Sequence, residues 1–114
     1  MASHIVLYIQ SNPRESHCVC EGVRIALGLA ACNLKVDLIL SASASFLLTD
    51  DMDECVDGEL VKQYLPSLMK FIATIYIAEE GSALPILQNE YPITFLSKDE
   101  IVQKIDSAES CINF

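Results

Sequence analysis

Two cysteines at the start of the first predicted helix are the residues best placed to do chemistry. Cys18 and Cys20 follow a turn, Ser11-Asn-Pro-Arg-Glu, with His17 directly before them and Arg14 nearby. The amino end of a helix carries partial positive charge and a neighbouring cation adds to it, so we expect a lowered thiol pKa there. A thiolate at Cys18 or Cys20, activated by His17, could act as a nucleophile or carry sulfur.

The same two thiols also have a purely structural interpretation. A free cysteine often packs as a small buried hydrophobic residue, and its burial needs no chemical role. Residues two apart do not share a helix face, so Cys18 and Cys20 are not expected to form a disulfide with each other. The sequence leaves both interpretations open.

The remaining cysteines and the histidines do not form a metal-site or disulfide pattern. The chain has 5 cysteines, an odd number at irregular spacing, and it contains no C-x-x-C pair. His4 and His17 are not spaced as zinc ligands with them, so we expect reduced thiols and no metal. Cys32 and Cys111 are predicted to lie in or near the core. Cys55 falls in an acidic loop, where neighbouring carboxylates disfavour a thiolate.

The turn after the first strand lacks the marks of a nucleotide site. It has neither the glycines of a dinucleotide-binding fingerprint nor a P-loop, and Pro13 and Glu15 argue against a tight anion cradle. No G-x-S-x-G elbow is present, so hydrolysis by a serine triad of that kind is excluded. We therefore predict no cofactor, and keep a small-ligand binder of flavodoxin type as an alternative.

Composition restricts the class of protein further. A chain of 114 residues has room for one domain, residues 1–114, and its mean hydropathy of +0.36 predicts that apolar surface meets a partner. The apolar runs are too short to span a membrane, and no secretory signal is recognisable, so a cytoplasmic location is expected. A net charge of −9 opposes direct binding to nucleic-acid phosphates.

Strand-like and helix-like segments alternate along the chain. The predicted strands are His4–Gln10, Leu34–Leu40, Ala73–Ala78, Pro92–Leu96 and Cys111–Phe114. The predicted helices are Ser16–Cys32 with Ser16 as cap, Glu59–Phe71 kinked or broken at Pro66, Ala83–Asn89, and one from the capping box Ser97–Glu100 to about Asp106. Close packing on the sheet is expected to offset the helix glycines Gly22 and Gly28. This alternation predicts a single-domain α/β protein, a flavodoxin-like three-layer sandwich with a mostly parallel five-stranded sheet.

An apolar loop follows the second predicted strand. Phe46, Leu47 and Leu48 come just past its carboxyl end, the edge where open α/β sheets place their binding crevices. We predict that these three side chains belong to a subunit interface. The alternative is that they cover the end of the chain's own core.

The chain as a whole, over residues 3–114, resembles the DsrE/DsrF family of small sulfur-relay proteins, most closely its TusC/DsrF branch. The resemblance lies in the first strand with its Ser11-Asn-Pro-Arg-Glu loop, the helix sequence Glu21-Gly-Val-Arg-Ile-Ala-Leu, and the loop Ser43-Ala-Ser-Phe-Leu-Leu. The closing strand Ile112-Asn-Phe114 is also similar. This resemblance implies a flavodoxin-like fold and homo- or hetero-oligomers with related subunits. It also implies a part in passing persulfide sulfur between proteins.

One departure from the family's pattern affects the expected role. In the sulfur-carrying branch the acceptor cysteine lies at the end of the third strand, but the stretch Ile75-Tyr-Ile-Ala-Glu-Glu80 has none. The resemblance therefore implies a non-carrying structural subunit that supports sulfur transfer. The alternative is a thiol-dependent sulfurtransferase that uses Cys18 or Cys20 in another geometry.

Overall fold

The computed structural model describes residues 4–12, 15–41, 43–45, 57–79 and 92–114. In this part of the chain the strands are β1 (His4–Ile9), β2 (Lys35–Leu40), β3 (Ile75–Ala78), β4 (Ile93–Leu96) and β5 (Ser110–Asn113). The helices are α1 (Cys18–Ala31), α2 (Gly58–Leu68) and α3 (Lys98–Ser107). The predicted helix Ala83–Asn89 lies outside the described residues, as does the apolar loop Phe46, Leu47 and Leu48.

The strands form one parallel sheet in the order β4-β3-β2-β1-β5. The longest pairing joins β1 to β2, from His4 opposite Lys35 to Ile9 opposite Leu40. β1, β2 and β3 lie inside the sheet and have more buried residues than the edge strands β4 and β5, because both of their faces are covered. The predicted parallel five-stranded α/β architecture is confirmed.

Alternate residues of each strand enter two separate cores. On one face of the sheet, Leu7, Leu38 and Ile77 pack with buried residues of α1 and α2. On the other face, which we call the α3 face, Val6 and Ile39 pack with residues that include Ile101 of α3. The helices therefore lie on both sides of the sheet, which gives the predicted three layers.

The two glycines of α1 have different surroundings. A side chain at Gly22 would meet Ile9 and Phe114, with a Cβ placed only 2.8 Å from Ile9 Cδ1. At Gly28 a Cβ would have no neighbouring atom within 4 Å. Close packing against the sheet thus explains Gly22. The same expectation for Gly28 is wrong, because that residue faces away from the sheet and is exposed.

Pro66 does not interrupt α2. The helix continues through Pro66 and ends at Leu68, three residues before the predicted end at Phe71. A proline inside a helix lacks the N–H that would donate to the carbonyl four residues earlier, and only two further residues of α2 follow Pro66. Within the described residues, no helix is long and apolar enough to cross a membrane.

The predicted capping box of α3 is present. The Ser97 hydroxyl accepts the Glu100 N–H at 3.3 Å, and Glu100 Oε1 accepts the Ser97 N–H at 3.1 Å. We expect Ser97→Ala to lower the free energy of unfolding by about 1 kcal/mol, since it leaves a first-turn amide without its acceptor. Urea unfolding would measure the change, with Ser110→Ala on an exposed strand position as the control. Equal effects of the two substitutions would contradict a capping role.

Candidate functional site

The amino ends of α1 and α2 meet at the carboxyl edge of the sheet. Each helix starts from the carboxyl side of the strand before it, as parallel crossover connections require. His17 directly precedes α1 and Asp57 directly precedes α2. Their side chains are joined by a contact of 2.7 Å between His17 Nδ1 and Asp57 Oδ2. This pair places a histidine and a carboxylate beside the two cysteines of α1.

Local hydrogen bonds set how α1 begins. The Ser16 hydroxyl accepts the Cys18 N–H at 3.1 Å, as expected, but Ser16 is not the cap residue that was predicted. The helix itself starts at Cys18, two residues later than predicted, with His17 at the cap position. The His17 side chain makes no capping hydrogen bond, because its ring is turned toward Asp57 instead.

Asp57 has a backbone conformation that few residues adopt. Its φ angle is +57°, in the left-handed region where aspartate is one of the better-tolerated residues after glycine. The conformation turns the chain directly into α2, and the contact with His17 lies across this turn. Sequence reasoning missed Asp57, because nothing local indicates a partner 40 residues away.

The two cysteines of the candidate site differ in accessibility. Cys18 is exposed, whereas Cys20 is only 3% exposed and packs in the core between α1 and the sheet. Burial raises the pKa of the Cys20 thiol, and the negative charges of Asp57 and Glu21 raise it further. The expected lowering of the thiol pKa is therefore wrong for Cys20, because burial and nearby carboxylates outweigh the helix end and Arg24.

The geometry supports one specific chemical arrangement. A carboxylate can only accept, so Nδ1 of His17 donates to Asp57 and a neutral ring keeps Nε2 as an acceptor. His17 and Asp57 thus form an oriented base, and the exposed Cys18 is the next residue in the sequence after His17. Within the described residues no hydrogen bond joins His17 to either thiol, so the structure brings together the base and its carboxylate but not the nucleophile.

We expect Cys18 to be alkylated at least about tenfold faster than Cys20 in the native protein. A buried thiol reacts only when the structure opens locally, and an opening cost of about 1.4 kcal/mol already slows it tenfold. Iodoacetamide labelling with peptide mapping measures both rates in one sample. The unfolded protein is the control, in which the two rates should converge. Equal rates in the native state would contradict the burial of Cys20.

The other two thiols that the structure describes, Cys32 and Cys111, lie apart from this site. Cys32 follows the carboxyl end of α1 and is exposed, so its predicted place in the core is wrong. Cys111 is half-buried against the α3-face core, as predicted, and burial raises its pKa. Cys55 and Arg14 lie outside the described residues. Among the residues that the structure does describe, no group of histidine, cysteine and acidic side chains could hold a metal ion.

A second polar cluster lies on the α3 face toward the amino ends of the strands. Asp37 Oδ2 contacts His4 Nε2 at 2.6 Å and Lys104 Nζ at 3.4 Å. Lys104 also lies 4.3 Å from the centre of the Tyr76 ring. Burial opposes the charge of Lys104, but Asp37 and Tyr76 outweigh it and raise the lysine pKa. These contacts tie α3 to the sheet, and the one sequence signal for them is an aspartate inside an apolar strand.

Comparisons with known proteins support the fold. No protein-family match was found, and no curated protein has a matching sequence. Among solved structures, the chain is similar to the crystal structure of the ychN protein from E. coli, with a TM-score of 0.75 and 21% identity. The match covers 100% of both chains. The chain therefore has the same fold as the ychN protein.

Proposed function

We propose that this chain is an oligomeric, cytoplasmic protein that supports persulfide transfer between related sulfur-relay subunits without carrying the sulfur itself. The observation that carries the proposal is the full-length likeness to the ychN protein fold, combined with the residues at the end of β3. The sequence resemblance to the TusC/DsrF branch points to the same class of protein.

The end of β3 supports a non-carrying role. The strand closes on Ala78, which is 1% exposed, and Glu79 follows it at the surface. Neither residue has a thiol, and this is the position of the carrier cysteine in the sulfur-carrying branch of the family that the chain resembles. A relay subunit without a thiol here would act by assembling or positioning its partners.

The subunit interface is proposed to include Phe46, Leu47 and Leu48. They directly follow Ala44 and Ser45, both fully buried at the carboxyl edge of the sheet. The hydroxyl of Ser41 accepts the Ala44 N–H at 3.1 Å and holds the chain in a tight turn there. An apolar sequence that follows such a fixed point in the chain suits contact with another subunit.

Sedimentation of the purified chain tests the oligomeric part of this proposal. We expect an oligomer in the wild type and a shift toward monomer in Leu47→Asp, because a buried charge in an interface is costly. Leu60→Asp is the matched control, since Leu60 is 41% exposed on α2 and should leave the assembly unchanged. A wild type that stays monomeric at high concentration, alone and mixed with related relay subunits, would contradict the proposal.

The exposed Cys18 beside the His17–Asp57 pair supports a second candidate, a thiol-dependent sulfurtransferase. An oriented imidazole raises the fraction of thiolate at a neighbouring cysteine. This candidate predicts that Asp57→Asn slows the alkylation of Cys18 severalfold while leaving Cys32, exposed at the other end of α1, unchanged. An unchanged rate at Cys18 would rule out activation through this pair.

A further inference from the structure

A cavity on the α3 face has no part in the site described above. It lies between α3 and the carboxyl ends of β1 and β3 and has a volume of about 520 Å³. Tyr8 lines it from the sheet, and Ile101, Val102 and Ile105 line it from α3. This volume and mainly apolar lining are typical of small-molecule sites, and the carboxyl edge is where open parallel sheets bind ligands.

Two opposite charges border the apolar lining. Glu79 and Lys98 both line the cavity, and both are exposed. Their backbones are held in place: the Glu79 N–H donates to the Leu96 carbonyl at 2.9 Å, and Lys98 opens α3 beside the capping box of Ser97. Within the described residues, neither charged group takes part in a hydrogen bond or an ion pair.

These charges select the class of ligand. A purely anionic molecule could pair with Lys98 but would leave Glu79 without a partner. A purely cationic one would leave the lysine without a partner. A small zwitterion can place its amine on Glu79 and its carboxylate on Lys98, while a short apolar side chain lies against Val102 and Ile105.

We propose that this cavity binds a free amino-acid thiol, such as cysteine, and its persulfide without forming a bond to them. A thiol or sulfane sulfur suits the apolar wall better than a hydroxyl does, because it is less strongly hydrated. The choice of a sulfur compound rests on the proposed function in sulfur transfer. The cavity would hold a small sulfur donor or acceptor at the end of β3, where this chain has no thiol of its own.

Nuclear magnetic resonance titration of the full chain with L-cysteine, under reducing conditions and up to about 10 mM, tests the site. We expect saturable shifts at Glu79, Lys98 and Val102, and weaker binding of L-serine. Lys98→Gln should weaken L-cysteine and 3-mercaptopropionate about tenfold and leave cysteamine unchanged, since cysteamine lacks the carboxylate. Glu79→Gln should weaken L-cysteine and cysteamine and leave 3-mercaptopropionate unchanged.

A further variant checks the apolar wall. Val102 is 49% exposed, so Val102→Asp should fold normally and abolish the shifts. The proposed site would be wrong if L-cysteine showed no saturable binding to the wild type. It would also be wrong if none of the substitutions changed the measured affinities. If L-cysteine did not bind but the relay assembly still formed, the site would be wrong and the proposed function would be unaffected. If L-cysteine bound but the protein supported no persulfide transfer, the site would be confirmed and the proposed function would be wrong.

Discussion

Replacing Leu38 with alanine is expected to lower the free energy of unfolding by about 3–4 kcal/mol. Leu38 lies at the middle of β2, between β1 and β3, and is fully buried in the core beneath α1 and α2. Truncation removes the buried methyl groups and leaves a cavity, because the surrounding strands cannot close around it. In a domain of this size, such a loss is a large part of the total stability.

Leu60→Ala is the matched control for this prediction. Leu60 is 41% exposed on α2, so the same chemical truncation should change the free energy of unfolding by only about 0.5 kcal/mol. Urea denaturation of both variants, followed by far-ultraviolet circular dichroism, provides the comparison. If Leu38→Ala cost no more than Leu60→Ala, the placement of β2 inside the sheet would be wrong.

Gly22→Val is expected to destabilise the protein by about 2–3 kcal/mol. Already the Cβ would lie 2.8 Å from Ile9 Cδ1 and 3.2 Å from Phe114 Cδ2, and two methyl groups would extend beyond it. Ile9 is fully buried, so its side chain has little room to move aside. The helix would therefore have to shift away from β1 or force Ile9 out of its rotamer.

Gly28→Ala in the same helix should have the opposite sign. Because a Cβ at Gly28 meets no atom within 4 Å, alanine should raise the free energy of unfolding by about 1 kcal/mol through its higher helix propensity. Thermal and urea unfolding of both variants measures the contrast. A gain in stability from Gly22→Val would show that α1 does not pack closely on β1.

Local patterns were sufficient to predict most of the fold. Apolar runs such as Ile5–Ile9 indicated the buried strands, because both faces of an inner parallel strand are covered. The Ser97–Glu100 capping box placed the start of α3 correctly, since its two hydrogen bonds are made within one turn. Helix ends were less accurate, as at Phe71, where packing rather than composition decides the last turn.

The candidate site depended on information that local sequence does not contain. Cys18 and Cys20 look equivalent in sequence, but the rotation of α1 on the sheet buries one thiol and exposes the other. The contact between His17 and Asp57 arises because α1 and α2 pack side by side, and it spans 40 residues. Gly28 and Cys32 were wrongly predicted to be packed, because the sequence does not show which side of α1 faces the sheet.

The most direct test of the non-carrying role is to treat the reduced protein with a persulfide donor and map added sulfur by intact-mass and peptide spectrometry. We predict no stable added sulfur on Cys18 or Cys20, with any labelling confined to exposed thiols outside the candidate site, such as Cys32. A related relay subunit with a cysteine at the end of its third strand is the positive control. A stable persulfide on Cys18 or Cys20 would contradict the account and make this chain a carrier.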